Sequence, residues 1–229
     1  MSSIKLITLI FKSPITSELW WYSAIHFTMS ILILVRHGQS VYNLENRFTG
    51  NLDICLTPLG EKEARQTGKL LKGYIFDMAY TSMLVRAKKS LKIILEVTGQ
   101  TNIPVVKNVA LNERMYGSLQ GLNKDEITKK YGTEQVEIWR RSFNICPPDG
   151  ESLATTYERA VPYYKAEIEP KLRSGKNVLI VAHGNSLRAL IMYLEEISPE
   201  DIANVNIPNC LPRKYTFNNN LKVLKVIDL

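Results

Sequence analysis

The chain has 229 residues, a size that suits one α/β domain with a substantial core and argues against two large domains. Its hydrophobic fraction of 45% and charged fraction of 22% are those of an ordinary soluble globular protein. The net charge of +7 favours anionic partners. The basic residues are spread along the chain in short pairs such as Lys129-Lys130, which argues against a nucleic-acid-binding stripe and leaves small phosphates as candidates.

The first 29 residues differ in pattern from the rest. The apolar run over residues 4–11 is too short for a transmembrane helix, which needs about 20 apolar residues. No clean signal-peptide cleavage site follows it, and no arginine marks a transit peptide. We expect Met29 to be a natural start, with residues 1–28 as an upstream extension. We also expect a single catalytic domain at residues 30–229, with residues 1–29 outside it. Mass spectrometry of the native N-terminus tests this expectation.

The three cysteines, Cys55, Cys146 and Cys210, are widely separated and odd in number. They have neither the spacing of a zinc site nor that of a disulfide framework. We expect isolated thiols in or near the core of a protein in a reducing compartment.

Apolar runs alternate with amphipathic stretches from residue 31 onward, which predicts an α/β fold. In chain order the predicted elements are a strand at 31–35, a helix at 58–71, a strand at 76–80, a helix at 83–97, short helices at 123–131 and 133–142, a helix at 151–172 bent near Pro162, a strand at 177–182, a helix at 184–196, and a hairpin of 213–217 with 221–227. This order implies a mainly parallel sheet with helices on both faces, a three-layer α/β/α arrangement.

Two of the three histidines stand at equivalent positions. His37 and His183 each follow an apolar strand and precede a glycine, whereas His26 lies in the extension and is no candidate for catalysis. Ligands of open α/β sheets bind beyond the carboxyl ends of the strands. If the two strands are neighbours, both imidazoles emerge at one edge. A single histidine in a turn is usually structural, but this pair indicates a site.

A neutral imidazole is a good nucleophile toward phosphorus, and phosphoryl transfer depends on positioning and on cations around the phosphoryl oxygens. Arg36 adjoins His37, Arg86 follows the second predicted strand, and Arg188 lies one helical turn after His183. The sequence has neither a Walker-type loop nor a carboxylate cluster for magnesium. We therefore predict transfer through a phosphohistidine without a metal.

Several further blocks make the resemblance to a known family specific. The chain resembles the 2,3-bisphosphoglycerate-dependent phosphoglycerate mutases of the histidine phosphatase superfamily over residues 30–229. The blocks that carry the resemblance are Arg36-His37-Gly38-Gln39-Ser40, Asn43, Glu45-Asn46-Arg47-Phe48-Thr49-Gly50, Tyr80-Thr81-Ser82, Arg86-Ala87, residues 111–124 (LNERMYGSLQGLNK), Trp139-Arg140-Arg141-Ser142 and residues 182–188 (AHGNSLR). The first block is typical of the whole superfamily. Residues 111–124 and the Trp139 block are more specific to the phosphoglycerate mutases.

The resemblance implies roles for the matching residues. His37 would carry the phosphoryl group, with Arg36, Arg86 and His183 around it, and Glu113 would be the general acid and base. The residues implied to bind substrate are Arg36, Asn43, Thr49, Gly50, Arg86, Glu113, Tyr116, Lys124, Arg140, Arg141, Gly184 and Asn185. Without the resemblance, Glu113 would be a charged residue before a turn, and the Arg140-Arg141 pair a solvated helix face.

The implied activity is the interconversion of 3-phosphoglycerate and 2-phosphoglycerate in glycolysis and gluconeogenesis, in the cytoplasm. The implied cofactor is 2,3-bisphosphoglycerate, which would prime His37, and no metal is implied. The implied partners are phosphoglycerates, with neither a nucleic acid nor a membrane. A homodimer or homotetramer is compatible with the resemblance.

One segment departs from the family pattern. After Ser142 the chain passes quickly to Gly150-Glu151-Ser152, where the mutases usually carry a longer insertion, and this turn resembles the phosphatase branch. A short segment predicts a more open mouth, through which water could attack phosphohistidine. The alternatives are therefore a phosphatase of a small phosphorylated metabolite, a closely related bisphosphoglycerate synthase, and a non-catalytic module. The last would tend to lose the nucleophile or the base, and both are present.

Overall fold

The computed structural model describes residues 29–229, so the extension expected at residues 1–29 lies, apart from Met29, outside the described residues. The strands are β1 (Ser30–Arg36), β2 (Met78–Thr81), β3 (Val105–Lys107), β4 (Val178–Ala182), β5 (Arg213–Phe217) and β6 (Val223–Asp228). The α-helices are α1 (Val41–Leu44), α2 (Pro58–Leu70), α3 (Val85–Thr98), α4 (Lys124–Tyr131), α5 (Thr133–Arg141), α6 (Leu153–Tyr163), α7 (Glu169–Arg173) and α8 (Gly184–Leu194). Short 3₁₀ turns lie at Val109–Leu111, Gly117–Leu119 and Ile202–Asn204.

The described strands form one sheet in the order β3-β2-β4-β1-β5-β6. Strands β3, β2, β4 and β1 are parallel, and the hairpin β5–β6 adds two antiparallel strands at one edge. The predicted mainly parallel sheet is confirmed. The strands that precede the two site histidines are direct neighbours, because Arg36 of β1 pairs with Ala182 of β4.

Alternate residues of the central strands supply two separate cores. Leu32 and Leu34 of β1 face a cluster formed with α6 and α8, and Ile33 and Val35 face a cluster formed with α3. A strand buried on both faces is continuously apolar, which explains the pattern of β1 and β4. The helices therefore cover both faces of the sheet, and the three-layer α/β/α prediction is confirmed.

The structure differs from the prediction at two elements and adds one strand that was not predicted. The second strand begins at Met78 rather than at residue 76, because Asp77 and Asn177 bond each other before the ladder starts. The helix predicted at 151–172 is continuous but passes through a π-helical turn, Tyr164–Ile168, after Pro162. Pro162 and the following Pro170 lack the N–H groups that α-helical bonds require. The three-residue edge strand β3 was not predicted.

Two smaller expectations concern the thiols and the membrane. All three cysteines are free, but only Cys210 is buried, so the expectation that all would lie in or near the core is wrong for Cys55 and Cys146. Within residues 29–229 no helix is long and apolar enough to cross a membrane.

Candidate active site

The two histidines predicted to form a site lie side by side beyond the carboxyl ends of β1 and β4. Their ring centroids are 4.9 Å apart, and both side chains are buried. The His37 N–H donates to the carbonyl of Ala182 at 3.0 Å, which extends the ladder one residue past the strands and fixes the two turns relative to each other. The sheet therefore places both imidazoles at one edge.

Gly38 lets the turn after His37 pack directly on the backbone of α2. A Cβ atom at this position would lie 2.2 Å from the carbonyl oxygen of Gly60. The Gly38 N–H donates to the Ser90 hydroxyl of α3 at 3.1 Å. The glycine after His37 is thus required by close packing, which holds the nucleophile's backbone between two helices.

The hydrogen bonds of His37 define its tautomer. Its Nδ1 lies 2.6 Å from the carbonyl oxygen of Gly38, which can only accept, so Nδ1 carries the proton. Its Nε2 is then the basic nitrogen and accepts from Arg86 Nε at 3.3 Å. Burial, together with the charges of Arg86 and Arg36, holds the pKa of His37 well below its ordinary value. The imidazole is therefore neutral at pH 7, with a lone pair on Nε2.

His183 lies deeper than His37 and has one satisfied nitrogen. Its Nε2 is 2.7 Å from the hydroxyl of Ser82, which also accepts from the N–H of Leu84 at 3.2 Å. Its Nδ1 is buried without a hydrogen-bond partner among the described residues. Burial and the charge of Arg86 are the leading causes that hold its pKa well below the ordinary value. A buried polar atom without a partner next to a pocket indicates a ligand-binding atom.

Arg86 and Arg36 bring positive charge to the same place. Arg86 donates to the carbonyls of Leu52 at 2.7 Å and Gly50 at 2.8 Å, and burial lowers its pKa to about 10, so it stays charged at neutral pH. Arg36 donates to the carbonyl of Ile207 at 2.9 Å, and its Nε is buried without a partner among the described residues. Backbone carbonyls hold both guanidinium groups, and Glu113 is the carboxylate with the largest electrostatic effect on each of them.

Glu113 presents one anchored and one unbound carboxylate oxygen. Its Oε1 accepts from the backbone N–H groups of Arg114 at 2.9 Å and Asn185 at 3.0 Å, whereas Oε2 accepts no hydrogen bond from the described residues. Burial alone would raise its pKa. The two N–H groups and the guanidinium groups of Arg36 and Arg86 outweigh burial and hold the pKa below its ordinary value. Glu113 is therefore ionised, with Oε2 free to take a proton.

All but one of the predicted site residues line a single pocket, and the exception, His183, lies beneath it. The lining residues are Arg36, His37, Asn43, Thr49, Gly50, Arg86, Glu113, Tyr116, Lys124, Arg140, Arg141, Gly184 and Asn185, joined by Arg47, Phe48, Arg188, Asn206 and Ile207. Among these described residues seven are lysine or arginine, and Glu113 has the one carboxylate. This charge balance suits a small ligand with several negative charges.

The outer wall of the pocket comes from α4, α5 and the loop after Glu113. Lys124 stands at the start of α4, and burial and the charge of Arg140 lower its pKa. The adjacent Arg140 and Arg141 end α5, where both pair with Glu137. The hydroxyl of Tyr116 accepts from Arg114 at 2.9 Å. These side chains come from elements other than the two strands that precede the histidines, and they can hold a second anionic group.

Five lining residues are not among the catalytic and substrate-binding residues that the resemblance implies, although the sequence pattern marked Arg188 as a candidate cation. Arg47 and Phe48 belong to a block quoted for the resemblance, and Arg188 stands one turn into α8, where it donates to Asn185 and Val205. Asn206 and Ile207 come from an irregular loop whose sequence has no periodic signal. Within residues 29–229 no three His, Cys, Asp or Glu side chains converge as they would at a metal site.

The low pKa values of the buried histidines predict a loss of stability in mild acid. In the unfolded chain their pKa returns to about 6.5, so below that pH the unfolded state binds more protons than the folded state. The free energy of unfolding should therefore fall as pH drops from 7 to 5, by up to about 1.4 kcal/mol per pH unit for each histidine. Urea unfolding at several pH values measures the slope.

The His183→Gln variant is the control for this prediction, since it removes one of the two titrating groups from the buried pair. Its unfolding free energy should depend less steeply on pH than that of the wild type. An equal slope in both proteins would contradict the assignment. Glu113, whose pKa is lowered, stabilises the fold above its ordinary pKa and loses that contribution as pH falls further, so its effect lies mainly below the window from pH 7 to 5.

Comparison with known families agrees with this geometry. The family model described as histidine phosphatase superfamily (branch 1) matches residues 32–228. Because this match spans nearly all of the described residues, the chain belongs to the histidine phosphatase superfamily.

Within that superfamily the chain is similar to proteins named 2,3-bisphosphoglycerate-dependent phosphoglycerate mutase. The protein of that name from Cytophaga hutchinsonii is 57% identical over 198 residues, which cover 86% of this chain and 92% of the relative. The one from Bradyrhizobium diazoefficiens is 53% identical over 201 residues, covering 87% of this chain and 97% of the relative. These nearly complete alignments leave no room for a long insertion, so the short segment after Ser142 also occurs in proteins of that name.

Solved structures support the fold. A mycobacterial glucosyl-3-phosphoglycerate phosphatase superposes with a TM-score of 0.75 at 24% identity, covering 87% of this chain and 97% of its own. A phosphoglycerate mutase from Bacillus anthracis superposes with a TM-score of 0.73 at 22% identity, covering 89% and 93%. Mutases and phosphatases thus share this architecture, which by itself does not choose between them.

Proposed function

We propose that this protein interconverts 3-phosphoglycerate and 2-phosphoglycerate through a phosphohistidine on His37. The observation that carries the proposal is the neutral Nε2 of His37 at the base of a pocket lined with seven cations and the ionised Glu113. The relatives of more than 50% identity, named as mutases, support it. Their names also support 2,3-bisphosphoglycerate as the phosphoryl donor that primes His37.

The residues present fit that donor. It carries two phosphates and a carboxylate, and each phosphate adds about 1.5 to 2 negative charges at pH 7. The unpaired buried Nε of Arg36 and Nδ1 of His183 offer donors next to the nucleophile. Lys124, Arg140 and Arg141, which line the same pocket, offer charge for the second phosphate or the carboxylate. The pocket therefore has two anion-binding regions.

Each catalytic residue has one proposed task. His37 Nε2 accepts the phosphoryl group, since its other nitrogen is protonated and bonded to Gly38. Arg36, Arg86 and His183 stabilise the charge on the phosphoryl oxygens during transfer. Glu113 Oε2 exchanges a proton with the substrate hydroxyl, while Oε1 keeps the carboxylate in place.

The remaining predicted site residues hold the substrate in the proposal. They are Asn43, Thr49, Gly50, Tyr116, Lys124, Arg140, Arg141, Gly184 and Asn185. We further propose that residues 30–229 form the catalytic unit, which the family match over residues 32–228 supports. The proposed substrates belong to glycolysis and gluconeogenesis, and the proposed compartment is the cytoplasm.

The test is to incubate the protein with 3-phosphoglycerate, with and without a catalytic amount of 2,3-bisphosphoglycerate. We expect 2-phosphoglycerate to form, faster with the bisphosphate, because His37 must be phosphorylated before it can transfer. Free phosphate is measured in parallel and should remain a minor product. Release of phosphate without formation of the isomer would overturn the proposal.

A phosphatase that acts on a small phosphorylated metabolite is the second candidate. It would use the same histidines and Glu113, so these residues do not discriminate. The cations on the outer wall favour the mutase, because a substrate that must turn around between two transfers needs both anionic groups held. The short segment after Ser142 still predicts some hydrolysis, which the phosphate measurement above quantifies.

A further inference from the structure

The loop that carries Glu113 (residues 112–116) is held by a side chain from a distant helix. This Glu113 loop lies between two 3₁₀ turns, so its carbonyl groups lack the partners that a helix or strand supplies. Arg159 of α6 bonds several of them with one guanidinium. Its NH1 donates to the carbonyls of Ala110 at 2.9 Å and Asn112 at 3.0 Å, and its NH2 donates to the carbonyl of Glu113 at 3.2 Å.

Glu151 holds this guanidinium and the far side of the loop. Its two carboxylate oxygens accept from Arg159 Nε at 3.2 Å and NH2 at 3.0 Å, a two-point ion pair. The same carboxylate accepts from the N–H of Met115 at 2.9 Å, and the Glu151 N–H donates to the Met115 carbonyl at 2.8 Å. The Glu151–Arg159 pair therefore fixes the backbone on both sides of Glu113.

The position of the Glu113 carboxylate depends on that backbone. One of the two bonds to Oε1 comes from the N–H of Arg114, which belongs to the same loop. A shift of the loop would move this bond and turn the unbound Oε2 away from the substrate hydroxyl. Proton transfer requires hydrogen-bond distance, and small displacements of a catalytic group can cost a factor of about 100 in rate.

Neither member of the pair lines the pocket among the described residues. The Arg159 and Glu151 side chains are only 24% and 14% exposed, so solvent screens their interaction less than it screens surface pairs. Four of the Arg159 donor contacts go to carbonyl oxygens of the loop or to the Glu151 carboxylate at 3.2 Å or less. Any effect of this pair on the reaction must therefore pass through the residues that it holds.

We infer that the Glu151–Arg159 ion pair is a positioning device for the proton transfer by Glu113. The inference rests on the proposed function in one respect, namely that Glu113 is the acid and base for a substrate hydroxyl. The nucleophile is held differently, by the β1–β4 edge and by Gly38. Loosening the pair should therefore slow the steps that need a proton and spare those that do not.

Two phosphoryl donors separate these steps. The leaving oxygen of 3-phosphoglycerate is an alcohol, which must receive a proton as the bond to phosphorus breaks. The nitrophenolate of p-nitrophenyl phosphate is a stable anion and leaves without one. Turnover of 3-phosphoglycerate is measured under saturating conditions for the wild type and the variants. Release of nitrophenolate is measured in the first turnover, before water must be activated to hydrolyse the phosphohistidine.

Arg159→Lys keeps the charge but loses the planar fork that bonds three carbonyls and a carboxylate. We expect its kcat with 3-phosphoglycerate to fall about 10- to 100-fold, a part of what general acid–base catalysis contributes. Its first-turnover rate of nitrophenolate release from p-nitrophenyl phosphate should change by less than about threefold. Glu151→Gln keeps the shape but not the charge, and should act in the same direction. Equal losses with both donors, or no loss with either, would overturn the inference.

A surface pair of the same kind serves as the control. Arg173, whose side chain is 56% exposed, pairs with Glu169 at 2.8 Å within α7, and neither residue lines the pocket, so Arg173→Lys should leave both rates unchanged. In a Glu113→Gln background, Arg159→Lys should cause no further loss with 3-phosphoglycerate, because both act on one step. A full additional loss would refute positioning through Glu113.

The outcome is separable from that of the proposed function. Isomerase activity of the wild-type protein tests the function, whereas the ratio of the two donors in the variants tests the pair. If the wild-type protein only hydrolyses 3-phosphoglycerate, the mutase proposal is refuted. The ratio of the rates with the two phosphoryl donors can still be measured in that case. If Arg159→Lys fails to fold, Glu151→Gln, which keeps an acceptor for the Met115 N–H, supplies the same comparison.

Discussion

His37→Ala is expected to abolish the phosphoenzyme and to lower isomerase turnover by about 10⁴-fold or more, the size of loss seen when a nucleophile is removed. The physical reason is the tautomer: Nδ1 is committed to the Gly38 carbonyl, so Nε2 carries the lone pair that attacks phosphorus. The measurement is acid-labile radioactivity on the protein after incubation with labelled 2,3-bisphosphoglycerate. Wild type should retain the label and the variant should not.

His183→Gln is the matched control, because it removes the other imidazole of the same pair. Its Nε2 is already bonded to Ser82, so this histidine is not placed to attack. We expect the glutamine variant to be slow yet still to accumulate label on His37. If the label survives in His37→Ala, or disappears only in His183→Gln, then His37 is not the nucleophile. Circular dichroism of both variants checks that the fold is retained.

The edge that carries both histidines could be predicted from local pattern. Strands β1 and β4 are buried on both faces, so each is a continuous apolar run that ends abruptly at a polar residue. The parallel topology then brings both ends to one side, as the pairing of Arg36 with Ala182 shows. The sequence pattern could not show that β1 and β4 are direct neighbours, because that depends on the order of all the strands in the sheet.

The position of Glu113 could not be predicted in this way. It lies in an irregular loop with no periodicity, and only the resemblance singled it out before the structure placed it in the pocket. The reason is physical: the loop takes its shape from Arg159 and Glu151, which are 46 and 38 residues further along the chain. Long-range side-chain bonds of this kind leave no trace in local sequence.

Local sequence also could not predict the edge strand β3 or the placement of Arg140 and Arg141 at the pocket. β3 has only three residues, all exposed, so neither length nor alternation marks it. The direction of Arg140 and Arg141 depends on α5, whose last carbonyls accept from the buried Arg114 at 3.1 and 3.0 Å. A solvated helix face was the better interpretation of that pair from pattern alone. The structure instead shows both side chains at the pocket.

The compact segment after Ser142 has a structural role that the sequence did not suggest. The N–H of Ser118 donates to the Pro148 carbonyl at 3.0 Å, and Gly150 approaches the loop so closely that a Cβ atom would lie 2.8 Å from the Met115 carbonyl. The segment thus braces the loop that carries Glu113. This role is compatible with the prediction that the short segment lets water reach the phosphohistidine. The measurement of phosphate release tests that prediction.

Glu113→Gln is expected to lower isomerase turnover by about 10²- to 10⁴-fold, the usual contribution of a general acid–base. Glutamine keeps the oxygen that accepts from Arg114 and Asn185, so the loop should stay in place. It cannot take a proton at the position of Oε2, which is unbound and ionised in the wild type. Steady-state kinetics with 3-phosphoglycerate measure the loss, and urea unfolding verifies that stability is little changed.

Comparing the two phosphoryl donors shows whether Glu113→Gln loses proton transfer or disturbs the structure of the pocket. Phosphorylation of His37 by p-nitrophenyl phosphate needs no proton, so Glu113→Gln should retain most of that rate. Removing a negative charge should even favour anion binding, since Arg36 and Arg86 then lose their nearest carboxylate partner. With 3-phosphoglycerate, a variant with a lower KM and a lower kcat would support this role. The negative charge of Glu113 would then weaken substrate binding, and its proton exchange would be needed for turnover. Equal losses with both donors would show instead that Glu113 merely supports the pocket.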